Sequence, residues 1–314
     1  MLTDEIDAEL APLDDLTLAP VAPRLPPARE IELSGGTVRL REVSGPPGAP
    51  TVVLLHGWTA TADLNFYTCY DALGRHFRVL SFDHRGHGTG IRSRRRFRLE
   101  DCADDVAELL TQVGADPAIA VGYSMGGAVA QVLWRRHPEA VSGLVLAATA
   151  AQFKARYNDR LSFLGLRGLA RLARLTPAQV RVLLANQLYL GRRTAHWAPW
   201  AVEEASNHDW RMVLEAGGAI GSFRSASWLD EIDVPTAVIV TMQDDIVPIR
   251  RQIQLFEAIP GARAFRIDAE HDAVVARPDR AVPVLVAACQ SVSERADPST
   301  FRARATHVGA SAES

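Results

Sequence analysis

The sequence predicts an α/β fold: a mostly parallel sheet with helices on both faces and a helical cap inserted between two of its strands. Three observations lead there. Short apolar runs alternate with stretches of helical periodicity from residue 37 to residue 150, the same rhythm resumes after about residue 234, and the stretch between shows no strand pattern. The runs read as strands are Thr37–Val43, Thr51–Leu55, Phe77–Phe82, Ala118–Gly122, Gly143–Ala147, Thr236–Thr241 and Arg263–Ile267. They are rich in Val, Ile and Leu, as burial on both faces of a sheet requires. Leu99–Val113, Gly126–Arg136 and Asp279–Val292 space their apolar residues as helices do.

From Ala151 to Ala226 the pattern turns helical, with Leu161, Phe163, Leu164, Leu166, Leu169, Leu172 and Leu175, then Trp197, Trp200 and Trp210. An insertion between two strands of one sheet is expected as a cap over the sheet's carboxyl edge, where α/β folds bind ligands. Leu161 to Leu175 also carries Arg160, Arg167, Arg171 and Arg174 around it, an amphipathic basic stretch that packs on the core or touches a lipid surface. The expected organisation is a flexible acidic, Pro-rich extension (1–30), core (31–150), cap (151–226), core (227–295) and flexible tail (296–314). The extension holds Asp4, Glu5, Asp7, Glu9, Asp14, Asp15 and Glu30 with no early positive charge, unlike a secretory signal.

Composition narrows the function classes. With 47% hydrophobic and 23% charged residues over 314 positions, the chain reads as a soluble globular protein able to bury a large core. No apolar run approaches the ~20 residues that span a bilayer. A net charge of -3 gives no general attraction to nucleic acid. Cys69, Cys102 and Cys289 are odd in number and far apart, which predicts neither a disulfide framework nor a zinc site and makes the cytoplasm the expected location. Arg92, Arg94, Arg95, Arg96 and Arg98 crowd into seven residues, either as a solvated loop or as an anion-attracting rim.

The chemistry centres on Gly122-Tyr123-Ser124-Met125-Gly126, which follows an apolar strand and opens a helix. A sharp strand-to-helix turn lifts a serine hydroxyl above the sheet, and its glycines let strand and helix approach without a Cβ between them. A neutral hydroxyl is a poor nucleophile, so a base has to take its proton and a third group has to hold that base in the right tautomer. Asp244 and His271 meet those needs, because each lies just past a strand, on the sheet edge that carries Ser124. Asp245 is the alternative acid.

These motifs, together with His56-Gly57-Trp58 after one strand and Asp83-His84-Arg85-Gly86-His87-Gly88 after the next, resemble those of the α/β-hydrolase superfamily over about Thr37 to Val292. Gln243 and Glu270 stand where that family commonly has glycine. The resemblance implies Ser124 as nucleophile, His271 as base and Asp244 as the orienting acid, four residues before Pro248. It implies an oxyanion hole from the backbone N–H groups of Trp58 and Met125. His56, His84 and His87 fall in its structural turns, so no metal and no cofactor are expected. The implied activity is hydrolysis of a small, apolar carboxylic ester or related acyl compound through an acyl-enzyme. Carbon–carbon bond hydrolases, enol-lactonases, thioesterases and cofactor-free perhydrolases use similar triads, and a ligand-binding protein or acyltransferase would keep the same fold.

Overall fold

A computed structural model describes residues 23–153 and 199–296 of the chain. Eight strands form one sheet: β1 (Ala28–Leu33), β2 (Gly36–Val43), β3 (Thr51–Leu55), β4 (Arg78–Ser81), β5 (Ala118–Tyr123), β6 (Val141–Ala147), β7 (Thr236–Thr241) and β8 (Arg263–Ile267). Their order across the sheet is β1-β2-β4-β3-β5-β6-β7-β8. β2 is antiparallel to both its neighbours, and the remaining pairs are parallel.

The seven expected strands are present with ends moved by two residues or fewer, whereas β1 has no counterpart in the sequence reading. It is an edge strand, Ala-Arg-Glu-Ile-Glu-Leu, in which only Leu33 is buried. Charged side chains suit an unpaired edge and conceal the apolar signal that a buried strand gives. The extension assigned to residues 1–30 is therefore too long. Leu25 already packs against the core, and the Pro26 carbonyl accepts a hydrogen bond from Arg41 Nη1 at 2.6 Å. Residues 1–22 and 297–314 lie outside the described residues.

Side chains alternate across the pleat, so β3 sends Val53 and Leu55 to one face and Val52 and Leu54 to the other. The first face is covered by α3 (Leu99–Gln112), α4 (Met125–Arg136), α6 (Trp210–Ile220) and α7 (Ile249–Ala258). The second is covered by α1 (Ala62–Phe66), α2 (Tyr70–Gly74), α8 (Ala273–Ala276) and α9 (Pro278–Ser293). Leu99, Cys102, Val106, Leu109 and Leu110 recur at helical spacing and are all buried, which is why α3 forms and which side it buries.

Of the insertion, α5 (Pro199–Ser206) and α6 are described, while Leu161 to Leu175 and Trp197 lie outside the described residues. α6 reaches the loops at the sheet's carboxyl edge. The Trp58 indole donates to the Val213 carbonyl at 2.7 Å, and the Phe97 N–H donates to Glu215 at 2.9 Å. No helix among the described residues is long and apolar enough to cross a membrane.

Where β5 turns into α4, the backbones nearly touch. A Cβ on Gly126 would sit 1.9 Å from the Leu55 carbonyl oxygen, and one on Gly122 would sit 2.3 Å from the Gly126 oxygen. Both contacts are backbone atoms, so no rotamer change relieves them.

Four histidines, His56, His84, His87 and His208, are buried together where the turns after β3 and β4 meet the insertion. Their ring centroids lie 4.5 Å (His56–His84, tilted), 5.2 Å (His56–His87, edge-on) and 5.4 Å (His87–His208, edge-on) apart. His56 Nε2 accepts the His84 N–H at 2.9 Å, leaving the proton on Nδ1, which faces the Gly57 carbonyl at 2.8 Å. His208 Nδ1 accepts the Gly88 N–H at 2.9 Å. Both rings are thus neutral tautomers. Neither ring nitrogen of His84 has a hydrogen-bond partner among the described residues. Burial lowers the pKa of all four, carrying His208 down to about 4 and His84 and His87 well below the usual value.

Two outcomes follow for stability. Gly126→Ala should lose at least ~3 kcal/mol in urea denaturation, because a methyl group has no space against a carbonyl. Gly114→Ala, at φ +58° with open space around it, should lose only ~1 kcal/mol. The histidine cluster makes stability acid-sensitive. The unfolded chain takes up these protons near pH ~6.5 while the fold excludes them, so the stabilisation is complete above that pH and drains away as pH falls toward about 4 for His208. Urea midpoints should drop between pH 7.5 and 5, and His84→Leu should reduce the proton uptake on unfolding by about one in that window.

Candidate active site

Ser124 sits between the last residue of β5 and the first of α4 with φ +53° and ψ −112°, a region an L-residue occupies only when its surroundings enforce it. The enforcement is visible. The Ser124 N–H donates to the Ala147 carbonyl at 2.9 Å, and its own carbonyl accepts from Gly127 N at 3.0 Å and Thr149 Oγ1 at 2.7 Å. With its backbone fixed on three sides, the side chain stands at the amino end of α4, where the helix dipole favours negative charge.

His271 follows β8 and reaches over the edge, with Nε2 3.0 Å from Ser124 Oγ and Nδ1 2.8 Å from Asp244 Oδ2. The loop bearing it is tethered from below, because the Tyr123 hydroxyl donates to the His271 carbonyl at 2.5 Å. Tyr123 is the first of the two variable residues of the elbow motif. Its identity in the sequence gave no hint of this contact, because the partner is 148 residues away.

Asp244 follows β7 and is buried. Its Oδ1 accepts the backbone N–H groups of Ile246 (2.9 Å) and Val247 (2.8 Å). Its Oδ2 accepts from Thr241 Oγ1 (2.7 Å) and Gln252 Nε2 (3.0 Å) besides His271. Burial acts to raise the Asp244 pKa, but the hydrogen bond and charge of His271, with the bonds from Thr241 and Val247, outweigh it and hold the carboxyl below its ordinary value. The neighbouring Asp245 is exposed. Between the two acids left open by the sequence, it is the Asp244 carboxylate that meets His271. Thr241 and Gln252 carry no motif that would have singled them out.

The loop after β3 comes over the elbow, and a Cβ on Gly57 would lie 3.5 Å from Ser124 Cβ. The Gly57 N–H is bound by Asn65 Oδ1 at 2.8 Å, and Thr59 takes φ +62°. Met125 is the first residue of α4, a position whose N–H has no acceptor within its own helix. Met125 follows Ser124 on α4, and Trp58 follows Gly57 in the loop that meets the elbow. The glycine-rich turn after β4 is organised by buried Asp83, which accepts from Ala62 N, Thr89 N and Thr89 Oγ1 at 2.8 to 3.0 Å. Among the described residues no group of three or more His, Cys, Asp or Glu side chains is arranged to hold a metal ion.

Comparison with known proteins places this geometry. The chain is 27% identical over 279 residues to a poly(3-hydroxyalkanoate) depolymerase of Ectopseudomonas oleovorans, covering 85% of this chain and 94% of the relative. It is 29% identical over 220 residues to a pimeloyl-[acyl-carrier protein] methyl ester esterase of Sodalis glossinidius, covering 68% and 83%. Among solved structures, the enol-lactonase of Burkholderia xenovorans LB400 superposes with a TM-score of 0.67 at 24% identity over 80% of this chain and 95% of that one, a likeness of fold. The family model for the alpha/beta hydrolase fold matches residues 50–278, from the start of β3 to the start of α9. With that match spanning both halves of the sheet and every strand end just described, the chain belongs to the α/β-hydrolase fold family.

Proposed function

We propose that the protein is a serine hydrolase that cleaves carboxylic esters through an acyl-enzyme on Ser124. The observation that carries the reading is the continuous relay Ser124 Oγ to His271 Nε2 (3.0 Å) and His271 Nδ1 to Asp244 Oδ2 (2.8 Å) at a strained elbow. In this reading His271 takes the Ser124 proton as Oγ attacks the acyl carbon, and Asp244 keeps the Nδ1 proton in place and steadies the imidazolium. The tetrahedral oxyanion is met by the N–H groups of Met125 and Trp58. His271 returns the proton to the leaving alcohol, and water then repeats the sequence against the acyl group. Esters fit better than amides because an alkoxide leaves more easily than an amine, and one of the relatives is named a methyl ester esterase. Residues 151–226 are taken as the cap that shapes the acyl pocket, and the three buried, free cysteines support action in a reducing compartment such as the cytoplasm.

A fluorophosphonate probe should label Ser124, and p-nitrophenyl esters of graded chain length should be turned over. Ser124→Ala should abolish labelling and lower turnover by ~10⁴ to 10⁶ with an unchanged circular dichroism spectrum. Substantial residual activity in that folded variant would remove Ser124 as nucleophile. The acid is tested by a pair of variants. Asp244→Asn should cost about 10⁴ in turnover by favouring the wrong histidine tautomer, while Asp245→Asn should be near neutral. The reverse ranking would transfer the role to Asp245.

A further inference from the structure

Of the arginine run noted in the sequence, Arg96 and Arg98 line a cavity of about 580 Å³ with Arg135 and Arg136 from the end of α4 and Arg224 from just beyond α6. Ser124, Trp58, Asp244 and His271 are not among its lining residues. The aromatic part of the cavity's wall is made by Phe97, Phe223 and Trp228. Phe97 and Phe223 are buried, and Trp228 is stacked on Trp134 with centroids 6.1 Å apart.

Three of the five cations are matched by carboxylates. Arg98 pairs with Glu100 at 3.5 Å, Arg135 with Glu231, and Arg136 with both oxygens of Asp104 at 2.8 and 2.9 Å. Arg96 and Arg224 have no carboxylate partner among the described residues, and the only hydrogen bond of the Arg224 guanidinium is to the carbonyl of Phe223. Two planar guanidinium forks at the edge of an aromatic-walled cavity form a receptor for a carboxylate or phosphate head. The volume suits a small molecule, since ligand pockets run from ~300 to 1,000 Å³.

We propose that this cavity is a second binding site, separate from the Ser124 centre, for a small organic anion with a carboxylate or phosphate head and a flat apolar body, held by Arg96 and Arg224 against Phe97, Phe223 and Trp228. The site does not depend on the reading of Ser124 as nucleophile. Calorimetric titration of the full chain with 2-naphthoate, 2-naphthyl phosphate and neutral 2-naphthol tests it. At least one anion should bind with a dissociation constant below about 1 mM and at least tenfold more tightly than the naphthol. The stronger of the two anions tells whether the head is a carboxylate or a phosphate. Arg96→Gln/Arg224→Gln, two exposed positions, should weaken that anion tenfold or more, and Arg96→Gln alone should weaken it at least threefold, a measure that stands if the double variant melts early. Equal affinity of wild type and Arg96→Gln/Arg224→Gln, equal binding of the naphthol, or no binding of either anion would overturn the site.

Discussion

The geometry of the candidate active site depends on one steric fact: at the turn from β5 to α4, backbone packs on backbone with no side chain between. Gly126 lies against the Leu55 carbonyl and Gly122 against Gly126 itself, at separations that a Cβ would bring below 2.5 Å. That closeness fixes α4 over β3, and with it the direction of the helix dipole at Ser124. It also leaves Ser124 no backbone conformation but the strained one, since its N–H and carbonyl are both bound, to Ala147 on one side and to Gly127 and Thr149 on the other. The strain, of order 1–3 kcal/mol, is stored by a core that is buried on both faces of β5.

The second constraint is electrostatic. A carboxylate buried at the end of β7 is tolerated because four donors besides His271 point at it. Each oxygen is committed, so the carboxylate cannot rotate, and Oδ2 presents to His271 Nδ1 the lone pair that selects the tautomer. The histidine loop is fixed by a contact of another kind, the Tyr123 hydroxyl beneath its backbone. Ser124, His271 and Asp244 are thus each held by their own local scaffold, and the hydrogen-bonded chain forms where the three meet.

The sheet and the three polar residues of the relay were legible in the sequence because their signals are local. Buried parallel strands are continuous apolar runs, and Gly122-Tyr123-Ser124-Met125-Gly126 is one contiguous motif, although the Leu55 carbonyl that Gly126 meets lies on another strand. β1 escaped because an edge strand needs few apolar residues and here has charged ones. The choice between Asp244 and Asp245 was open because adjacent positions differ only in which way a turn points them, and that depends on Thr241 and Gln252. The arginine run was legible as a cluster but not as a site. Its partners Arg135 and Arg136 come from the end of α4 and Arg224 from the segment after α6, and no periodicity links them.

The buried histidines show how the two halves of the fold are joined. His56 and Trp58 are two residues apart in the loop after β3, yet they face different neighbours. His56 binds the backbone of the β4 turn through Nε2, and the Trp58 indole binds the Val213 carbonyl of α6. His208, from the insertion, returns the connection by accepting the Gly88 N–H and facing the Thr59 carbonyl. The segment from His56 to Thr59 is therefore clamped between core and insertion through side chains that are neutral by virtue of the bonds they make. A chain that places neutral imidazoles here gains two-sided ring nitrogens, one accepting and one donating, which lysine or arginine cannot supply. The same choice makes the clamp vulnerable to acid, because protonating His56 or His208 converts an acceptor facing an N–H into a second donor. The path of the loop from His56 to Thr59, which brings Gly57 against Ser124, is thus set by the histidine clamp as much as by the strand that precedes it.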